Sequence, residues 1–305
     1  MKQFDPEEYL LFKATTGSRL YGTANKDSDY DKRGVCLPPL PVLIDPFHNF
    51  EVKDSFEEEE DMAIYDLGKF FNLSSQANPN IIELWFIPDS HVLYKTKTWD
   101  YILDNTDLFL SKKIKYTFTG YAFAQIKSIE RHRRWFINPP KRKPTREDFG
   151  LGAVPIVSEA HLQNILSLPQ ELFRDEYLDN VRREKDYRDV KKDWDNFQSW
   201  MKNRNPKRRE TEEKFGYDTK FASHVFRLMT EGKELLLTGN ITFPLPNAEW
   251  ITAIKNGFYQ YEKILEMAKT MESEFETWYN ESPLPHKPNI NAIKELYFQI
   301  VKETL

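Results

Sequence analysis

The residues from Thr15 to Val35, TTGSRLYGTANKDSDYDKRGV, have the types and spacing from which phosphate chemistry can be built. Asp29 and Asp31 flank Tyr30 at the start of a strand-like run. On a β-strand residues two apart share a face, which sets these carboxylates side by side and turns Tyr30 toward the core. Two such groups repel unless a cation sits between them. Hard oxygen donors suit Mg²⁺ (or Mn²⁺), with water and substrate phosphate completing the shell. Upstream, Gly17-Ser18 follows the apolar run Tyr9-Leu10-Leu11-Phe12, and small residues at a turn let backbone N–H groups approach a phosphate. The Ser18 hydroxyl adds a donor, and Arg19 is a neighbouring cation for the same phosphates.

The elements that must hold these groups can be read in outline. Tyr9–Thr16 and Tyr30–Leu37 read as strands, the second ended by Pro38-Pro39. A loop with Pro41 and Pro46 leads to the acidic run Glu57–Glu60, and Asp61–Tyr65 reads as a third strand. A helix from about Asp66 puts Leu67, Phe70, Phe71 and Leu73 on one apolar side and stops at Asn78-Pro79-Asn80. Ile81–Ile87 is apolar enough to be buried. Beyond Ser111 the period turns helical, over Lys112–Phe136, Ser158–Asn205, Asp218–Leu237 (closed by Gly239), Trp250–Tyr279 and Asn291–Thr304. The expectation is an α+β chain: a small mixed β-sheet catalytic domain over 1–108, then a mainly helical domain over 109–305 that clamps substrate.

Composition narrows the classes. With 305 residues the chain can bury a sizeable core. No apolar run approaches the roughly 20 residues of a membrane helix, and the start lacks a signal-peptide pattern, so a soluble cytoplasmic protein is expected. The lone Cys36 excludes an internal disulfide and a cysteine-rich zinc site, and reads as a small buried hydrophobe. Residues 1–111 carry ten Lys/Arg against twenty Asp/Glu, and residues 112–305 carry 33 against 28. An acidic half followed by a mildly basic one suits a metal-using nucleotide enzyme and is weak support for it.

The order strand, Gly-Ser, spacer, Asp-x-Asp resembles the signature of the DNA polymerase beta-like nucleotidyltransferase superfamily. The longer string GSRLYGTANKDSDYDKRGV resembles its RNA-repair-associated branch, whose members share a form close to GSxxYGTxxxxSDYDxRGV. Gly17, Ser18, Tyr21, Gly22, Thr23, Ser28, Asp29, Tyr30, Asp31, Arg33, Gly34 and Val35 match that form. The resemblance implies two metal ions held by three carboxylates, Asp29 and Asp31 with a third from a neighbouring strand. Asp61 is the candidate, since family members carry an acid shortly before the helix reading LxKF. Glu60 and Asp66 are rivals, Asp66 having a ready alternative as a helix N-cap.

A second constellation lies downstream. Lys220, His224, Arg227, Glu231 and Glu234 recur at spacings that place them on one helix face, beside an apolar stripe of Phe221, Val225, Leu228 and Leu235. Their segment is similar to a second family block, YDxKxxxHxxRL followed by ELLxTG. That likeness makes Lys220 a candidate for nucleotide phosphates and His224 for base or acceptor. Arg227 with Glu231 reads equally as a solvated i,i+4 pair. Asn78-Pro79-Asn80 with Glu83 also fits the family and reads as a turn and cap, the alternative being that Glu83 lines the site. Lys127, Arg131, Arg133, Arg134, Lys141, Arg142 and Lys143, interleaved with Trp135 and Phe136, suit single-stranded nucleic acid or a plain charged helix end. The region from Tyr177 to Arg209 matches no motif.

Together these readings imply a Mg²⁺-dependent enzyme that transfers an NMP from an NTP to an acceptor hydroxyl and releases pyrophosphate. The acceptor, an RNA end, a tRNA, a protein or a small molecule, stays open. The alternative is a non-catalytic nucleotide- or RNA-binding regulator on the same scaffold.

Overall fold

The computed structural model describes residues 4–47, 50–57 and 60–304, the side chains of residues 56, 57, 60, 159, 170 and 207 excepted. The chain opens with β1 (Leu10–Thr16), the short helix α1 (Gly17–Tyr21) and β2 (Tyr30–Cys36). Next come α2 (Leu40–Leu43), β3 (Val52–Glu57), β4 (Glu60–Asp66), α3 (Leu67–Ser75), α4 (Pro79–Ile82), β5 (Val92–Lys95) and α5 (Lys97–Leu103). The remainder is helical: α6 (Ile114–Ile137), α7 (Glu159–Ser167), α8 (Asp175–Asn203), α9 (Pro206–Phe215), α10 (Thr219–Thr238), α11 (Ala248–Lys255), α12 (Tyr261–Glu281) and α13 (Ile290–Thr304). The architecture is α+β, a five-stranded mixed sheet followed by helices. Among the described residues no helix is long and apolar enough to cross a membrane.

Two compact units result. One comprises residues 1–129 and 219–305, and the other residues 130–218. Residues on both sides of position 108 therefore build the unit that contains the sheet.

In that sheet the strand order is β3-β4-β2-β1-β5. β2 runs antiparallel to β1 and parallel to β4, so the acid-bearing ends of β2 and β4 point the same way. β1 buries Phe12 and Ala14 on one face and Leu11 beside a register shift between Leu10 and Phe12, and Phe12 stacks on Trp99 of α5 with ring centroids 4.3 Å apart. α3 buries Leu67, Phe70 and Phe71 as its spacing predicts, and Trp85 packs on Phe70 at 5.0 Å while donating its indole N–H to the buried Ser74 hydroxyl at 2.9 Å. Cys36 is fully buried, and burial pushes its thiol up to about 12, so it is an inert core residue.

Three expectations need correction. Tyr30 is 43% exposed rather than in the core, because at the first residue of β2 the polar loop before it supplies no apolar cover. The guanidinium of Arg19 lies on its ring instead, 3.6 Å from the centroid. The single helix expected over Trp250–Tyr279 is two, α11 and α12, divided at Gly257, whose φ of +75° no helix accommodates. The polar segment ahead of Asp61 and the one after Pro88 form the edge strands β3 and β5.

The unit of residues 130–218 has a smaller core of Val157, Leu162 and Val181. There the buried carboxylate of Glu184 accepts both arms of Arg146 at 2.8 Å, so α8 is held by a bidentate ion pair as well as by apolar contact.

Asp66 ends β4 and caps α3, its carboxylate accepting the Lys69 N–H at 2.9 Å. The Asp66→Ala substitution is expected to lower the unfolding free energy by about 1 kcal/mol, the usual cost of a lost N-cap. Urea titration of both proteins checks this; an unchanged midpoint would remove Asp66 from its structural role.

Candidate active site

The sheet register assembles the first layer. Thr16 pairs with Asp31 across β1 and β2, and Asp31 pairs with Asp61 across β2 and β4. Residues in register on adjacent strands share a face, so Thr16, Asp31 and Asp61 form a row across three strands. The chain then turns at Gly17, φ +66°, into α1. A Cβ at Gly17 would fall 1.9 Å from Oδ2 of Asp31, so only glycine lets the Gly-Ser turn press against that carboxylate. Asp29 lies exposed just before β2.

The electrostatics follow from this row. Asp31 is pushed above the ordinary carboxylate range, chiefly by burial, with Asp61 and Asp29 adding repulsion while Arg33 and Lys220 oppose it. Arg33, two residues beyond Asp31, answers Asp61: its Nη2 lies 3.4 Å from Asp61 Oδ2, and its Nη1 donates to the Asp61 carbonyl at 3.3 Å. Burial works to lower the Arg33 guanidinium, but Asp61 overrides it and its pKa rises. The sheet thus answers the paired acids Asp31 and Asp61 with a cation of its own.

Two lysines face the same cluster. Thr219 Oγ1 donates to the Lys255 carbonyl at 2.7 Å, which ties the start of α10 to the end of α11 and brings Lys220 near Lys255. Lys255 Nζ donates to the Thr23 carbonyl at 3.3 Å. Its pKa is lowered, first by burial and then by Lys220, with Asp29 opposing. His224 follows Lys220 by one turn of α10 and is half-buried. Arg19 is tied down, its Nη2 donating to the Ser28 carbonyl at 2.8 Å while the guanidinium covers Tyr30, so it braces the loop between α1 and β2.

Beneath this layer lies a buried ionic network. Arg227 Nη1 donates to both oxygens of Glu231 at 3.0 Å and to Glu83 Oε2 at 3.2 Å. The Tyr21 hydroxyl donates to the same Glu83 oxygen at 2.7 Å, and the Arg227 guanidinium lies 4.6 Å from the Tyr21 ring centroid. The solvated pair expected from spacing is therefore an interior one, with Arg227 6% and Glu231 0% exposed. Glu83, read as part of a turn, joins it. Two carboxylates share one guanidinium, and burial pushes Glu231 up to about 8 and raises Glu83.

The rivals for the third carboxylate resolve differently. Asp66 is occupied as a cap, and the Glu60 side chain lies outside the described residues, as do residues 58 and 59. Among the described residues no three His, Cys, Asp or Glu side chains gather as a ready metal site. The donor chemistry nevertheless suits a hard divalent cation, since Asp31 and Asp61 sit in register and Asp31 is raised in part by its acidic neighbours. In the basic stretch Arg134 pairs with Asp193 and Arg142 with Asp148, and Trp135 is buried. Sequence reasoning gave Arg33 and Lys255 no role. The alternation that couples Asp29 to Asp31 extends to Arg33, whereas Lys255 reaches the site only through the tertiary join of α10 with α11.

Residues 3–138, just under half of the chain, match the RlaP family, the "RNA repair pathway DNA polymerase beta family". Over 125 residues the chain is 26% identical to an uncharacterized 38.9 kDa protein of the nrdC-mobD intergenic region of Enterobacteria phage T4. That match covers 38% of this chain and 37% of the phage protein. No solved structure matches.

Two predictions follow from the buried network. At pH 9 Arg227→Met is expected to lower stability by about 3–5 kcal/mol, because it leaves two acids buried and ionised without their cation. The loss should shrink at pH 5, where those acids take up protons; urea titration at both values tests it. The sign for Glu231 is set by its raised pKa. Stability it contributes is complete below 4.5 and is lost as pH rises toward about 8. Glu231→Gln should flatten the wild-type slope across that window, and thermal melts showing equal slopes in both proteins would contradict the assignment.

Proposed function

We propose, from the membership of residues 3–138 in the DNA polymerase beta-like RNA-repair branch, that this chain is a metal-dependent nucleotidyltransferase. The observation that carries the reading is the row Thr16, Asp31, Asp61 with the Gly17 turn pressed on its central carboxylate. Asp29, Asp31 and Asp61 would hold Mg²⁺ or Mn²⁺, which when bound would neutralise triphosphate charge and lower the pKa of an acceptor hydroxyl. Gly17 and Ser18 would take phosphate oxygens through backbone N–H groups and the Ser18 hydroxyl. Lys220, with Lys255 beside it, would draw the triphosphate to the acids, and His224 would meet the base or acceptor. Arg19 would hold the loop that precedes Asp29.

In the reaction the acceptor oxygen forms a bond to the α-phosphorus of an NTP while the bond to pyrophosphate breaks. The hydroxyl proton leaves toward the carboxylates, with Asp61 as the base. Arg33 would keep Asp61 oriented until substrate arrives. Residues 1–108 would supply the catalytic acids and residues 109–305 the lysine and histidine of α10. An RNA end is the acceptor favoured by the family description.

A second reading has one observation behind it. Asp61 is already paired with Arg33, which would suit a nucleotide-binding regulator without turnover. Incubation with α-³²P-labelled NTPs and total RNA separates the two readings. Transfer of label by the wild type, falling by at least about a thousandfold in Asp29→Asn/Asp31→Asn, is the expected result. Calorimetric binding of Mg²⁺–NTP with no transfer would favour the regulator, and undiminished transfer by the double variant would refute the mechanism.

A further inference from the structure

Residues 130–218 enclose a pocket of about 480 Å³, within the roughly 300–1,000 Å³ in which proteins hold small ligands. Three of its walls are aromatic. The rings of His132, Trp135 and Trp200 lie 5.4–5.6 Å apart, His132 with Trp135 near-parallel at 25°. Cations flank the rings: the Arg204 guanidinium is 4.5 Å from the Trp200 centroid and the Arg131 guanidinium 5.5 Å from that of Trp135.

The charges do not cancel. Three arginines, Arg131, Arg204 and Arg208, line the pocket against two carboxylates, Glu212 and Asp218. Arg204 donates from Nε to Glu212 Oε2 at 2.8 Å, and Arg208 Nη1 is 3.6 Å from Asp218 Oδ2, leaving Arg131, on the exposed side, as the excess cation. His132 adds no charge near neutral pH, since burial and then the neighbouring arginines drive it down to about 4. A neutral imidazole presents one donor and one acceptor nitrogen. Asn196 and Asn203 bring amide groups to the same wall.

Flat rings, amides that can read a base edge and an unbalanced arginine together fit one ligand chemistry. We propose that this pocket binds a nucleotide, its base against Trp200 and the His132–Trp135 pair and its phosphate toward Arg131. The site is separate from the acid cluster and needs no divalent cation. The nucleotide would be either free or the terminal residue of a single strand.

Calorimetric titration of the full chain in EDTA, with AMP, CMP, GMP and UMP and with a short single-stranded oligoribonucleotide, tests the assignment. At least one probe should bind. Trp200→Ala and Arg131→Gln should each weaken binding by about tenfold, and Trp200→Phe should hold it within about threefold. Arg131 is exposed, so its variant carries the test if Trp200→Ala fails to fold. Asp29→Asn/Asp31→Asn should bind as the parent does, which separates this pocket from the proposed catalytic site. A mononucleotide that binds supports the free form, and binding of the oligomer alone supports a strand terminus. The proposal is overturned if no probe binds at about millimolar concentration, a level weaker than useful recognition, or if binding survives Arg131→Gln unchanged.

Discussion

Like-charge repulsion between Asp31 and Asp61 is the constraint around which the unit that contains the sheet is arranged. The parallel pairing of β2 with β4 leaves no choice of register once one face is buried, so the two carboxylates must stand side by side. Everything near them answers that repulsion. Arg33 braces one acid from its own sheet face, and Lys220 acts on the other from α10. Gly17 presses directly on Asp31, so the turn and the carboxylate fix each other's position.

The buried network explains why Lys220 can be where it is. α10 has no strand to register it, so its rotation must be set by packing and by charge. Arg227, two turns beyond Lys220, fixes it by reaching Glu83 and, through that carboxylate, Tyr21 of α1. Tyr21 closes the helix that Gly17 and Ser18 open. Contact is reinforced at Gly22, φ +77°, where a Cβ would fall 2.8 Å from Pro244. A buried ion pair is weak support for net stability, because desolvation offsets much of the attraction. Its effect here is orientation: a guanidinium with two buried carboxylates permits one placement of α10 over the turn.

How much of this was legible depended on how local each determinant is. Alternation around Tyr30 exposed the acid pair, and the apolar runs gave β1, β2 and β4 nearly to the residue. The helical spacing of Lys220 to Glu231 identified the right residues on α10 but misjudged their surroundings. Period alone cannot tell a solvated charged face from a buried one when the partner, Glu83, lies 144 residues away. β3 and β5 escaped because edge strands carry polar or exposed side chains, as with Leu93 and Tyr94, and lack the apolar pattern of strands that pair on both sides. Tyr30 was misplaced for a related reason. Alternation says which face a residue takes, and only the tertiary fold says whether that face is covered there.

The most direct test of the account is whether the acid row binds a divalent cation, read by electron paramagnetic resonance of Mn²⁺ with and without a non-hydrolysable NTP analogue. Stoichiometric Mn²⁺ uptake that tightens when the analogue is present and is lost in Asp31→Asn is the expected result. Free Mn²⁺ signal undiminished by the wild-type protein, or uptake indifferent to Asp31, would contradict it.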